Sequence, residues 1–183
     1  MMTDLVLTRQ DVTARIAEFY DPAGLMEPIK LQLKLHLARL NGKDWKTPLT
    51  PEEQTFWKAI FADFVDFHTF RIPRCVVPPD CGDRDIRLVC FADAAAEACG
   101  AVIYAGVEIS PGLYTSSLMA SRSKLTKATI PRNELTAIML MTELAYIVKR
   151  ALGSRVKEVI YRFNDSTVLV LQPGEEAPTV RAE

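Results

Sequence analysis

Three acidic side chains stand where a carboxylate could do chemistry. Asp93 ends the apolar run IRLVCFAD, Asp165 follows the apolar run VKEVIYRF, and Glu134 opens the run ELTAIMLM directly after IPRN. Three carboxylates that converge on a partly dry spot repel one another unless a cation joins them. Such a group would bind a hard divalent cation through oxygen, and two such cations about 4 Å apart can hydrolyse a phosphodiester.

The residue types favour Mg²⁺ or Mn²⁺ over Zn²⁺. The four cysteines have no C-x-x-C spacing, and the two histidines, His36 and His68, lie far from them in the sequence. We therefore expect reduced thiols and neither a zinc site nor a disulfide framework. The alternative for the acids is structural: Asp93 and Asp165 would be turn residues at strand ends, and Glu134 would face a helix dipole. Taken jointly, the three acids favour the metal interpretation.

The elements that carry the acids follow from hydrophobic periodicity. Alternation places Asp93 last on one face of a first strand and Asp165 last on one face of a fourth strand. Between them a helix is predicted from Pro131 to about Leu152, with Glu134 on its apolar stripe. The other members of that stripe are Ile138, Met141, Ala145, Val148 and Leu152. Because ligands usually bind at the carboxyl ends of strands in α/β sheets, we expect the three acids at one site.

Further signals complete the picture of an α/β domain over residues 84–183. The runs ACGAVIYAGV and LYTSSLMASRSKL predict two more strands, with Pro111-Gly112 as the turn between them. A final helix is predicted to begin at Ser166. The Pro-rich stretch RIPRCVVPPDCGDRD separates this domain from the preceding part of the chain.

Residues 1–78 are predicted to form a mainly helical segment. Thr8 is a suitable cap for a first helix, and Thr50-Pro51 with Glu53 predicts the start of a third helix, whose aromatic residues are expected in the core. Between them, IKLQLKLHL predicts a second helix over residues 29–40, although its alternation would equally suit a strand.

Charge and hydropathy bear on the partners. The net charge of −1 hides a local excess of basic residues between Ser121 and Lys157, which would suit a polyanion, although a solvated charged face is the alternative. No apolar run reaches the roughly 18 residues of a membrane span, and the first residues do not have the pattern of a signal peptide. We therefore expect an intracellular, cytoplasmic chain without a membrane partner.

Several stretches resemble one family closely. FADAAAEACGAVIY, SRSKLTKATIPRNEL and VKEVIYRFNDSTVLVL are similar to the ribonuclease H region of BEL/Pao-type retrotransposon polyproteins, whose segments also carry a Pao peptidase family heading. LTRQDVTARIAEFYDPAGLMEPIKLQLKL and FRIPRCVVPP resemble the connection that precedes that region. The most specific strings are Ile-Pro-Arg-X-Glu-Leu and YDPAGL. The resemblance covers nearly the whole chain and implies a ribonuclease H-like mixed sheet with flanking helices.

The resemblance also implies an activity. Asp93, Glu134 and Asp165 match the first three metal-binding carboxylates of the family, with Mg²⁺ or Mn²⁺ as the cofactor. The implied reaction is two-metal hydrolysis of the RNA strand of an RNA/DNA hybrid, with the rest of the polyprotein, including the polymerase, as partner. The candidates for nucleic-acid contact are Arg122, Lys124, Lys127, Arg132 and Ser166.

The end of the chain suggests a second hypothesis. The family's fourth aspartate lies well downstream, whereas the helix expected here breaks at Pro173-Gly174. We therefore expect a C-terminally incomplete domain that is inactive alone, with its fourth strand at an open edge of the sheet. The alternative is a degenerate or co-opted, non-catalytic module that binds nucleic acid or serves in assembly.

Overall fold

The computed structural model describes residues 6–63, 82–163 and 168–169. The described residues divide into two compact units: 6–21 with 29–63, and 22–28 with 82 onward. The predicted boundary between residues 78 and 84 falls largely outside the described residues and stays a prediction. None of the helices in the described ranges is long and apolar enough to cross a membrane.

The first part of the chain is helical, as predicted. Thr8 begins the first helix through a capping box: its Oγ1 accepts a hydrogen bond from the N–H of Asp11 at 3.2 Å, and Asp11 Oδ2 accepts one from the N–H of Thr8 at 2.8 Å. Thr50 and Glu53 make the same reciprocal pair, at 3.3 and 3.0 Å. The helices are α1 (Arg9–Ala17), α2 (Glu27–Ala38) and α3 (Pro51–Asp63).

The ambiguous second segment forms a helix and not a strand, and Leu33 is a buried residue of this helix. Leu40, which is also buried, lies two residues beyond the end of the helix at Ala38. Trp57 and Phe61, one turn apart in α3, are buried with ring centroids 5.7 Å apart, which confirms the prediction that they belong to the core. Phe56 is 41% exposed, so the prediction is wrong for that residue, although its ring contacts that of Trp57 with centroids 5.6 Å apart.

The second unit contains a sheet and a long helix. Its elements are β1 (Ile86–Ala94), β2 (Ala98–Ser110), β3 (Leu113–Leu125), α4 (Ile130–Leu152), a 3₁₀ turn (Gly153–Arg155), β4 (Val156–Phe163) and β5 (Val168–Leu169). The predicted strands and the long helix are confirmed. The sheet is mixed, in the order β3-β2-β1-β4-β5. The pairs β1–β2 and β2–β3 are antiparallel, β1–β4 is parallel, and β4–β5 is antiparallel.

Helix α4 covers one face of this sheet. Alternate residues of β1 from Ile86 to Ala92 are buried in a cluster with Met141 and Val148 of α4. We call this the helix face, and the opposite one the outer face. Cys90 and Cys99 lie in the same cluster as free thiols, as predicted for these two, and burial raises the pKa of Cys90 to about 12. Cys75 and Cys81 lie outside the described residues.

The end of the sheet differs from the prediction in two ways. Val168 and Leu169 form a short strand instead of the helix expected to begin at Ser166. They pair with Arg162 and Tyr161 of β4, so the outer edge of β4 is covered at these two positions and not open as expected. The run TVLVL, rich in β-branched residues, has the composition of a strand, which explains the result.

Residues Pro22–Pro28, which we call the clasp, cover the other edge of the sheet. The N–H of Ser121 in β3 donates to the carbonyl of Ala23 at 2.8 Å, and the Ser121 hydroxyl donates to the carbonyl of Gly24. The N–H of Ser123 donates to the carboxylate of Glu27 at 2.9 Å, and Glu27 is only 7% exposed. The clasp thereby satisfies edge groups that could otherwise pair with another chain.

Candidate functional site

Asp93 lies one residue before the end of β1, on the outer face of the sheet. Its register partner in β2 is Gly100, its side chain is exposed, and its Oδ1 accepts a hydrogen bond from the N–H of Ala94 at 2.9 Å. On the same face Phe91 is 39% exposed and contacts the ring of Tyr104. The predicted alternation that groups Phe91 with Asp93 is confirmed, and it leaves the carboxylate open to solvent at the carboxyl end of the strand.

Glu134 directly follows the first turn of α4 and is also exposed. Farther along the helix the predicted apolar stripe is confirmed, because Met141, Ala145 and Val148 are buried. In the first turn the buried residue is Asn133. Glu134 is exposed, so the prediction that it faces the apolar layer is wrong, although at about 100° per residue it lies within about 20° of the buried residues Met141 and Ala145.

The sequence interpretation missed Asn133. This side chain is 0% exposed, and its Nδ2 donates to the carbonyl of Ala95 at 2.8 Å and to that of Ala96 at 3.2 Å. Both carbonyls belong to the turn that leads from β1 into β2, directly after Asp93. A signal was present: position 133 shares a helical line with Ala137, so a polar residue opens a stripe that is otherwise apolar.

The third predicted acid, Asp165, and the neighbouring Ser166 lie outside the described residues. The described register ends just before them, with Ala92 of β1 beside Phe163 of β4 in the parallel pair. Asp93 is therefore the next residue of β1 beyond the last described pair.

The described residues contain no group of three histidine, cysteine, aspartate or glutamate residues that could hold a metal. The structure thus brings the turn after Asp93 against the first turn of α4, but it does not form a cluster from its described acids alone. In donor chemistry Asp93 and Glu134 suit a hard divalent cation, because both are exposed carboxylates. Within the described ranges, no lysine or arginine forms an ion pair with either of them.

The four predicted basic residues lie on β3, in the connection from β3 to α4, and in the first turn of α4. All four are exposed, and in the described part of the chain none forms an ion pair. On β3, Arg122 pairs with Ala101 and Lys124 pairs with Cys99, so both basic residues lie on the helix face, opposite to Asp93. Thr129 caps α4 without a side-chain hydrogen bond, so the positive end of the helix dipole adds to their charge. These residues are Arg122 and Lys124 on β3, Lys127 in the connection, and Arg132 in α4.

Comparison with known proteins adds to this geometry. No curated protein matches the chain. Among solved structures it is similar to "Structure of the foamy viral protease-reverse transcriptase in complex with dsDNA", with 13% sequence identity, a TM-score of 0.42, and coverage of 86% of this chain and 33% of that one. The chain thus spans about a third of the length of that protein. The family model for the Pao retrotransposon-like RNaseH-like domain matches residues 8–166. Since this match covers most of the sequence, the chain belongs to the family of Pao retrotransposon-like RNaseH-like domains.

Proposed function

We propose that this chain is part of a retroelement polyprotein and contributes to hydrolysis of the RNA strand of an RNA/DNA hybrid, with Mg²⁺ or Mn²⁺ as cofactor. The family to which the chain belongs supports the assignment to a ribonuclease H-like domain. The proposed partners are the hybrid and the remainder of the polyprotein, including its polymerase.

One observation carries the proposal: the parallel register of β1 and β4. Ala92 of β1 lies beside Phe163 of β4, so both strands run toward the same end of the sheet. In the sequence, Asp93 follows Ala92 directly and Asp165 is two residues after Phe163. Ligands bind at this end of parallel strands in α/β sheets. The hydrogen bonds from Asn133 to Ala95 and Ala96 join the first turn of α4 to the same end of the sheet, and Glu134 follows Asn133 directly.

Each part of the proposed site has a separate role. Asp93, Glu134 and Asp165 would hold the cations, which lower the pKa of a bound water and stabilise the leaving oxygen of the phosphodiester. The exposed basic residues around α4 would bind the phosphate backbone and fix the position of the hybrid. Contacts to the 2′-hydroxyl would distinguish the RNA strand from the DNA strand.

The test is cleavage of a labelled RNA/DNA hybrid by a longer piece of the polyprotein that contains this chain. We expect Mg²⁺-dependent cleavage that falls by at least a hundredfold in Asp93→Asn, because the substitution removes a ligand charge. Glu97→Gln is the matched control, since Glu97 is an exposed acid in the turn just after β1. Equal rates for Asp93→Asn and Glu97→Gln would refute the proposal.

A second candidate function is a non-catalytic module that binds nucleic acid. The observation that favours it is the group of exposed basic residues around α4, which have no acidic partner within the described part. Such a module would bind a hybrid equally well in EDTA and in Mg²⁺, with strong dependence on salt because binding releases counterions.

Charge-matched variants separate specific contact from general attraction. Arg122→Gln with Lys124→Gln should weaken hybrid binding and reduce the salt slope by roughly 1 for each phosphate that the variant no longer neutralises. Lys149→Gln with Arg150→Gln, two exposed bases in the last turn of α4, removes the same charge elsewhere. Equal effects of the two pairs would count against a defined interface near the start of α4. Cleavage that depends on Mg²⁺ would exclude the non-catalytic module.

A further inference from the structure

We propose that Asn133 is a positioning residue. It fixes the turn after Asp93 against the first turn of α4 and so holds Asp93 and Glu134 in a fixed position relative to each other. This inference rests on the proposed function, because it concerns the placement of two proposed metal ligands. It identifies a role for a side chain that is itself neither a proposed ligand nor exposed to a substrate.

The hydrogen bonds define what Asn133 holds. Its Nδ2 donates to the carbonyls of Ala95 and Ala96, at 2.8 and 3.2 Å, so both hydrogens of the amide are used. The orientation of the amide follows from these partners, because the reverse orientation would place its oxygen against two carbonyl oxygens. With the side chain 0% exposed, packing leaves the amide little freedom to move.

The turn between β1 and β2 is short, and backbone hydrogen bonds support it on its other side as well. The N–H of Ala95 donates to the carbonyl of Ala98 at 2.8 Å, which closes the turn between β1 and β2. The N–H of Thr126 donates to the carbonyl of Glu97 at 2.9 Å, so the chain that leaves β3 also supports the turn. The carbonyls of Ala95 and Ala96 point instead to α4, where Asn133 provides the donors.

The amide oxygen of Asn133 indicates that this side chain has a role besides packing. Its Oδ1 is buried and accepts no hydrogen bond from the described residues. A buried acceptor without a donor is destabilising, whereas an apolar side chain would continue the stripe of Ala137 and Met141 without that penalty. The presence of an amide is therefore explained by what its Nδ2 holds and not by packing.

The two hydrogen bonds of Asn133 to the carbonyls of Ala95 and Ala96, which we call the clamp, connect the two acids through few residues of the chain. Ala95 is two residues after Asp93, and Glu134 follows Asn133 directly. Since consecutive Cα atoms are about 3.8 Å apart, the Cα of each acid is at most two such steps from the Cα of Ala95 or Asn133. Residues that orient ligands through hydrogen bonds typically change metal affinity by 10- to 100-fold when they are replaced.

The experiment compares the full 183-residue chain with Asn133→Leu and Val148→Ala. Leucine keeps a similar volume but removes both donors, and Val148, buried at the far end of the same helix, is the control for a general loss of packing. Three quantities are measured: the melting temperature, the hydrogen exchange of the amides of residues 95–98 without metal, and Mn²⁺ affinity by the EPR signal of the free ion.

We expect Asn133→Leu to speed exchange in the turn and to weaken Mn²⁺ binding, each by at least about tenfold. Val148→Ala should lower the melting temperature but leave Mn²⁺ affinity and the turn amides unchanged. If Asn133→Leu retains wild-type exchange in the turn, the inference is overturned, whatever the metal result. If wild type binds no Mn²⁺, the claim that this chain alone forms a metal site fails, and the exchange data alone decide whether the clamp exists.

Discussion

Replacement of Gly24 by alanine tests whether the clasp holds the edge of β3. Gly24 has φ of 73°, in the left-handed region, and a Cβ placed there would overlap the backbone carbonyl of Ser121. Gly112, in the turn between β2 and β3, has φ of 77° with nothing within 4 Å of such a Cβ. Gly112→Ala therefore reproduces the backbone strain without the overlap and is the matched control.

The expected magnitudes differ for the two variants. Gly112→Ala should cost about 1 kcal/mol, the usual penalty for alanine in the left-handed region. In Gly24→Ala the overlap forces the clasp away from Ser121, which breaks its hydrogen bonds to Ser121 and Ser123. At a net contribution of about 0.5–1.5 kcal/mol for each of these four bonds, we expect a loss of about 2–6 kcal/mol.

The assay must follow the second unit by itself. Both tryptophans, Trp45 and Trp57, lie in the first unit, so their fluorescence does not follow the sheet. Hydrogen exchange of the Ser121 and Ser123 amides follows it directly. We expect exchange in Gly24→Ala to be at least thirtyfold faster than in wild type, which corresponds to about 2 kcal/mol. Exchange within about threefold of the Gly112→Ala rate would refute the reasoning.

Three further predictions concern the two units. Thr8→Val should destabilise the first unit by about 1 kcal/mol at neutral pH. The hydrogen bonds from Thr8 hold the pKa of Asp11 below its ordinary value of 3.8, so this stabilisation is present above that value and is lost as the pH falls through the lower folded pKa; Trp57 fluorescence in urea measures it. Cys90, whose burial raises the pKa of its thiol to about 12, should resist iodoacetamide at pH 8 until the protein unfolds, and rapid alkylation of the native protein, detected by peptide mass spectrometry, would contradict this. Met141→Ala should cost about 2–5 kcal/mol in thermal unfolding because the side chain is buried, whereas Met139→Ala, at a position 58% exposed, should change stability by about 0.5 kcal/mol or less; similar losses would show that the buried face is wrongly assigned.

The sequence was sufficient for the elements whose signals are local. The cap at Thr8 and the alternation that ends at Asp93 are set by neighbours within a few residues, and both are confirmed. The second helix was ambiguous from alternation alone. Its leucines at every second position fit a helix or a strand, and the choice between them depends on tertiary packing, which the local pattern does not encode.

The site was less predictable, because its residues are placed by contacts across the chain. Periodicity put Glu134 on the line of Met141 and Ala145, but how far the sheet covers that line depends on tertiary packing, and at the start of α4 Asn133 is buried whereas Glu134 is exposed. The carbonyls that Asn133 holds lie 37 and 38 residues away in sequence, a pairing that no local pattern indicates. Likewise, composition suggested no clasp, since its partners on β3 lie almost 100 residues away, at separations of 96 and 97.

The most direct test of the proposed metal site is oxidative cleavage by Fe²⁺ bound in place of Mg²⁺. With ascorbate and peroxide, bound Fe²⁺ produces radicals that cut the nearby polypeptide, and mass spectrometry locates the cuts. We predict cuts within a few residues of Asp93, Glu134 and Asp165, all suppressed by excess Mg²⁺ and all absent together in Asp93→Asn. Cuts at only one of the three positions, or cuts that excess Mg²⁺ does not suppress, would contradict the claim that these three carboxylates hold a common metal site.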